Sequence, residues 1–168
     1  MTTIKITKMN GCGNDFVIID KSEFEKTNLS MSDMAKKICD RNFGVGGDGM
    51  IIPDLTPNSK TDIAWFFYNS DGSTAQMCGN GMRCFAKYVT DKKLVNKNKF
   101  SVMTGAGIIT PEILDNGLIK VNMSKPILEP EKIPFKGNNI LNFDITIKDI
   151  TVKANAISMG NPHCVIFT

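Results

Sequence analysis

Apolar and polar positions alternate in short blocks along the 168-residue chain, and the blocks change period from one to the next. Ile4 to Met9 alternates, with Ile4 and Ile6 on one face, and predicts a strand. The glycine-rich run Asn10-Gly11-Cys12-Gly13-Asn14-Asp15 predicts a tight turn, and Phe16-Val17-Ile18-Ile19-Asp20 a second, more deeply buried strand. Ser30 to Cys39 carries a helical signature: Ser30 can cap, Asp33 lies in the first turn, and Met34, Ala35 and Ile38 form an apolar stripe. Met50-Ile51-Ile52 predicts a strand, Thr56 to Asp62 a polar loop, and Ile63 to Tyr68 another strand. Arg83 to Leu94 predicts a helix whose face of Cys84, Phe85, Tyr88 and Val89 is broad enough to be largely enclosed by sheet. Phe100–Thr104, Gly107–Leu114 and Leu118–Met123 predict successive strands, with Asp115-Asn116-Gly117 as a hairpin turn. Three prolines between Ser124 and Pro134 break this pattern and predict a linker, dividing the chain into a domain over 1–123 and a segment over 124–168. Alternation resumes from Ile140 to Ala156, followed by a turn at Ser158-Met159-Gly160-Asn161-Pro162-His163 and a strand from Cys164 to Phe167.

Composition narrows the classes of function. A hydrophobic content of 42% with 22% charged residues is that of a soluble globular protein. The net charge of +3 is too balanced, and its basic residues too scattered, for a nucleic-acid surface. The apolar runs are shorter than the roughly 20 residues of a membrane span. Five widely spaced cysteines without a CxxC pair, and a single histidine, give no zinc set, so no metal is expected. An odd cysteine count without a signal peptide fits a reducing cytosol and a cytoplasmic protein.

The candidate chemistry lies in Met77-Cys78-Gly79-Asn80-Gly81-Met82-Arg83-Cys84, between the strand at Ile63–Tyr68 and the helix that follows. Glycines let backbone N–H groups approach a ligand closely. A helix N-terminus offers unpaired N–H donors and partial positive charge, and it draws a thiol toward the thiolate. Cys78 is therefore expected to be a reactive sulfur beside a carboxylate site, although small buried cysteines packing a helix start are common. Cys84, six positions on, falls on another face and is expected in the core. Gly44, Gly46 and Gly49 match G-x-G-x-x-G, but a helix precedes and a strand follows. That is the reverse of the dinucleotide-binding order, so no nucleotide cofactor is read from them.

Cys78 to Ala86 closely resembles the active-site segment of diaminopimelate epimerases. Lys8–Phe16, Asp40–Gly49 and Met159–His163 resemble the same family, in its order and at matching spacing, so that the likeness covers essentially the whole chain. The resemblance implies an α+β fold in which a curved, mostly antiparallel sheet or barrel wraps a central helix, in two pseudo-symmetric domains of which the second is incomplete here. It implies cofactor-independent epimerisation of LL- to meso-diaminopimelate, in lysine and peptidoglycan precursor biosynthesis, by two cysteines that hold opposite protonation states. Cys78 is the catalytic candidate. Asn14, Asn69, Gly79, Asn80 and Asn161 match substrate contacts, and His163 matches a residue that tunes the protonation of a thiol. Local reasoning makes Asn14 and Asn69 turn formers; for Asn69 both roles can hold together. The family often carries Gln where this chain has Gly49, which removes one side-chain contact. Its second cysteine lies in a part of the family sequence beyond Thr168, so the chain by itself is expected to be inactive. The family's final strand, which returns to the first domain, is also missing, and the sheet edge left unpaired favours a homodimer. The alternatives are a racemase like proline racemase, a non-catalytic amino-acid-binding remnant, and a redox-sensing thiol protein, the last weakened because no second cysteine lies close to Cys78 in sequence.

Overall fold

The computed structural model describes residues 3–55, 60–123 and 125–167. Positions 56–59 of the expected loop Thr56–Asp62, Ser124 at the start of the expected linker, and Thr168 lie outside the described residues. The chain forms two compact units, Met1–Asn122 and Met123–Thr168.

In the first unit the elements run β1 (Thr7–Gly11), β2 (Asn14–Ile18), α1 (Lys21–Phe24), α2 (Met31–Cys39), β3 (Gly49–Asp54), β4 (Ile63–Asn69), α3 (Gly79–Asp91), β5 (Val102–Thr104), β6 (Gly107–Ile109), β7 (Pro111–Ile113) and β8 (Ile119–Val121). The first six strands make one sheet in chain order, and β7 and β8 pair as a separate hairpin. Within the sheet β1–β2, β3–β4 and β5–β6 are antiparallel, whereas β2–β3 and β4–β5 are parallel. Parallel neighbours need a crossover; α2 lies in the first and α3 in the second.

The unbroken apolar runs of β2 and β3 are explained by burial on both faces. Phe16, Ile18 and Ile51 join the core around α3, while Val17, Ile19, Met50 and Ile52 join Met34, Ala35, Ile38 and Cys39 of α2. Ser30 caps α2, its Oγ accepting from the Asp33 N–H at 3.1 Å, as its sequence predicts. Helix α3 packs against β1, β2, β3, β7 and β8. Its Met82, Phe85, Ala86 and Val89 are fully buried, and Phe85 stands edge-on to Trp65 at 5.5 Å between ring centroids. A large apolar side chain buried in this way stabilises the fold by about 1.5–3 kcal/mol.

Several elements differ in their bounds from their sequence signals. The strand expected at Ile4–Met9 is assigned over Thr7–Gly11, its register set by pairing with β2 across a two-residue turn. Cys12 and Gly13 in that turn both have positive φ, 52° and 93°, as tight hairpins require. The expected strand Gly107–Leu114 is two strands, because Pro111 has no N–H with which to continue the ladder. Helix α3 starts four residues before Arg83, at Gly79, and ends at Asp91 rather than Leu94.

The second unit contains a 3-10 turn at Pro130–Lys132 and the strands β9 (Phe143–Ile147), β10 (Ile150–Ser158) and β11 (Pro162–Ile166). They form an antiparallel sheet in the order β11-β10-β9. His163, expected in the turn, lies in β11 opposite Ile157.

Candidate active site

Cys78 is the N-cap residue of α3. Its backbone is extended (φ −145°, ψ 118°), and its Sγ accepts the Gly81 N–H at 3.3 Å in the way a Ser or Asp side chain caps a helix. The Cys78 carbonyl takes the Met82 N–H at 2.8 Å, so the Gly79 and Asn80 amides belong to the first turn, where N–H groups have no carbonyl one turn back. The sulfur thus stands at the positive end of a 13-residue helix. Cys78 is half-buried, in contrast to Cys84. Cys84 is only 4% exposed, and burial pushes its thiol pKa up, with the neighbouring Cys78 acting in the same direction. The helix start is held close to the β1–β2 hairpin: a side chain at Gly11 would come within 3.0 Å of both the Asn80 carbonyl oxygen and Cys84 Sγ.

The polar groups beside Cys78 form a continuous line. Asn80 Nδ2 donates to Asn14 Oδ1 at 2.7 Å, and Asn14 Nδ2 donates to Asp48 Oδ2 at 2.9 Å. Arg83, one turn along the helix, donates to Asn80 Oδ1. Asp48 also accepts the Asp15 N–H at 3.1 Å, and Arg41 Nη2 bridges Asp48 Oδ1 at 2.8 Å and Asp15 Oδ1 at 2.7 Å. Lys8 reaches Asp15 at 3.1 Å. The Arg41 guanidinium, helped by Lys8, holds the Asp15 carboxyl well below the usual carboxylate range against the cost of burial. The bond from Asn14, joined by those from the Asp15 amide and Arg41, lowers that of Asp48.

Asn69 ends β4 opposite Gly49. Its Nδ2 donates to Ser73 Oγ at 3.0 Å, and its backbone N–H and carbonyl pair with Ser73 and Gly72, so its turn-forming role is in place. At Gly49 a Cβ would lie 2.7 Å from both the Phe67 ring and the Tyr68 carbonyl. A side chain at this position would require the Phe67 ring and the Tyr68 carbonyl to shift.

The first unit brings Asn14 and Asn80 into direct contact, with Cys78 and Gly79 next in the chain. In the second unit Asn161 and His163 are exposed, with His163 Nε2 3.1 Å from Asn161 Oδ1. Asp15, Arg41, Asp48 and Arg83 join the site although no local sequence signal marks them. Their only trace in sequence is that all four occur within the glycine-rich stretches themselves. Among the described residues no group of His, Cys, Asp and Glu could hold a metal ion, and no helix is long and apolar enough to cross a membrane.

Comparison with known proteins places this geometry among relatives. Residues 6–129 match the family model for diaminopimelate epimerase. The chain is 44% identical over 166 residues to the diaminopimelate epimerase of Carboxydothermus hydrogenoformans and 47% identical over 172 residues to that of Desulforapulum autotrophicum. In each case 98% of this chain is covered and 60% of the relative, so the chain spans about three-fifths of the length of these curated relatives. Among solved structures it resembles a probable proline racemase from Agrobacterium radiobacter (TM-score 0.68, 12% identity, 98% of this chain and 52% of that one). A phenazine biosynthesis protein of the PhzF family from Bacillus anthracis is also similar (TM-score 0.65, 20% identity, 99% and 56%). At such identities these two likenesses speak for a shared fold alone.

Proposed function

The chain belongs to the diaminopimelate epimerase family, and from that premise we propose that its first unit carries one half of a cofactor-independent epimerase site acting on diaminopimelate, with Cys78 as one of two acid–base thiols. The observation that carries this reading is the position of Cys78 as the cap of α3, its Sγ on the Gly81 N–H and its neighbour Asn80 hydrogen-bonded to Asn14.

In the proposed reaction the Cys78 thiolate removes the α-proton from one face of the carbon, and a protonated thiol on the other face returns one; in the reverse direction the roles exchange. One C–H and one S–H bond are broken and one of each is formed, so no net proton is gained and the two thiols end with their protonation states exchanged. The carbanion formed in between needs its charge held by the adjoining carboxylate, and N–H donors of the first turn of α3 are suited to hold that group. Gly79 lets its amide approach a ligand closely, and Asn80 and Asn14 offer side-chain donors beside it. Asn69, Asn161 and His163 enter the proposal through family likeness: the two asparagines as further substrate contacts, His163 as the residue that tunes a thiol. The second thiol of this proposal matches none of the segments of this chain that resemble the family's site. The same proposal makes the protein an isomerase of lysine and peptidoglycan precursor biosynthesis.

The test is exchange of the α-proton of diaminopimelate with deuterated solvent, followed by mass spectrometry or proton NMR with the two-thiol enzyme. Replacing Cys78 with Ala is expected to lower exchange by about 10²–10⁴-fold. Exchange at the parent rate would overturn the assignment of Cys78, and exchange of proline in preference to diaminopimelate would move the substrate reading to the proline racemase class.

A further inference from the structure

Two primary amides in contact can pair in either direction, since a carboxamide donates from one end and accepts at the other. Asn14 and Asn80 have no such freedom. At one end of their line stands Asp48, whose ionised carboxylate only accepts; at the other stands Arg83, whose guanidinium only donates. Turning the Asn14 amide over would set oxygen against the Asp48 carboxylate, and turning Asn80 over would set NH2 against Arg83. The direction Arg83 to Asn80 to Asn14 to Asp48 is therefore fixed from both ends.

Asp48 is itself held from several sides. Its Oδ2 takes the Asp15 N–H at 3.1 Å as well as Asn14, and its Oδ1 takes Arg41. Its backbone N–H donates to the Asp15 carbonyl at 2.7 Å, and its carbonyl accepts the N–H of Ser70, the neighbour of Asn69. The parallel register Phe16↔Gly49 is what carries Asp48 to this place, beside the start of β2. Bonds between a charged group and an amide are also stronger than amide–amide bonds, so the two ends dominate the line.

From this geometry we infer that Asp48 is a positioning residue: through Asn14 it sets the direction in which the Asn80 amide faces the site, with Arg83 closing the line at the other end. Each asparagine then keeps one unused Nδ2 proton, while each Oδ1 already accepts, so the pair presents donors to an anionic group. The inference deepens the proposed function and rests on its reading of Asn14 and Asn80 as substrate contacts.

The test uses the whole chain labelled with 15N-asparagine, with the side-chain amide signals assigned from Asn14→Ser and Asn80→Ser variants. In Asp48→Asn the acceptor-only end is lost. Solvent exchange of the Asn80 side-chain amide, a group Asp48 does not touch, is expected to rise about tenfold or more, with a cooperative melt retained. An Asn80 exchange rate within twofold of the parent, in a folded Asp48→Asn protein, would overturn the inference. Should Asp48→Asn fail to fold, Arg83→Gln approaches the line from its other, half-buried end and is expected to loosen Asn14 in the same way; an unchanged Asn14 signal there would overturn it equally. The double exchange Asn14→Asp with Asp48→Asn restores an acceptor facing both neighbours and is expected to slow Asn80 exchange again, a rescue that a general weakening of the fold would not give. Titration with millimolar diaminopimelate separates the premise from the inference. Movement of the Asn14 and Asn80 signals supports both, whereas unmoved signals beside an intact Asp48 effect would remove the substrate reading while leaving the hydrogen-bonded line.

Discussion

Of the three Gly-Asn pairs in segments that resemble the family's, at 13–14, 79–80 and 160–161, the last two lie in different units, 79–80 in the first and 160–161 in the second, and their surroundings differ sharply. The first opens a 13-residue helix whose Met82, Phe85, Ala86 and Val89 are completely buried, and its asparagine is tied at both ends of its amide. The second lies at the turn of a three-stranded sheet, with Asn161, Pro162, His163 and Cys164 all exposed. Within its own unit, the first pair is held by packing and the second by one hairpin, a Gly160 N–H bond to Ser158 Oγ and an Asn161–His163 contact. Similar short motifs thus differ in how firmly their own unit fixes them. A position fixed in advance loses little entropy when a ligand arrives; an exposed turn must be ordered on binding or by a partner surface.

The largest effect that tests this contrast is chemical. Cys78→Ala in the two-thiol enzyme is expected to lower α-proton exchange by about 10²–10⁴-fold, the usual scale for a lost acid–base group, while loss of the cap costs about 1 kcal/mol of stability. His163→Gln is expected to change the pH dependence of exchange and to leave the urea midpoint in place. Equal losses in stability for both variants would erase the difference between the two regions.

Next comes packing. Phe85→Ala is expected to destabilise the first unit by about 3–5 kcal/mol in urea titration, the range for a buried aromatic truncated in a core. Ile150 on β10 is 67% exposed, and its replacement by Ala is expected to shift stability by no more than about 0.5 kcal/mol. A smaller intermediate case is Cys84→Ser. A buried hydroxyl without a ready acceptor costs about 1–3 kcal/mol, so the variant should melt lower while Cys78 keeps its alkylation rate. A folded Cys84→Ser protein with normal melting and altered Cys78 reactivity would make Cys84 part of the site rather than of the core.

The sequence carried some of this and not the rest, for physical reasons that differ by residue. Signals that act within one turn were legible: the Ser30 cap with Asp33, the Asp115-Asn116-Gly117 hairpin, the Cys84 face of α3. The start of α3 was not, because Gly79 and Gly81 are poor helix formers by propensity, and only the Cys78 cap and the sheet around the helix hold them helical. Nor was the break at Pro111 visible within an apolar run that reads as one strand. Asp48 was hidden most completely. Its role arises from the parallel pairing of β2 with β3, which joins positions more than thirty residues apart, and neither its own loop nor its alternation pattern points to Asn14.

The smallest expected effect concerns carboxylates at the edges of the two units. Asp62 accepts from Lys97 at 2.7 Å and from the Ser101 N–H and hydroxyl at 2.8 and 3.0 Å, and these bonds, led by the one from Lys97, lower its pKa to about 2. A carboxyl whose pKa is lower folded than unfolded stabilises the fold above the unfolded value, near 4, and that contribution disappears as pH falls through the folded value. The stabilising part is therefore complete above about pH 5 and fades between about pH 4 and 2. With Lys97 62% exposed, solvent screening holds it to about 1 kcal/mol. In the second unit Asp144 meets Lys153 at 2.8 Å with both side chains more than half exposed, and Asp144→Asn is expected to change stability negligibly at any pH. Urea titrations at pH 6, 4 and 2.5 should show Asp62→Asn weaker than the parent at pH 6 and the two converging at pH 2.5. A pH-independent gap would mean that Asp62 acts through its shape in the Lys97–Ser101 corner, and a loss at Asp144 as large as that at Asp62 would mean that the second sheet is held by its surface charges as firmly as the first.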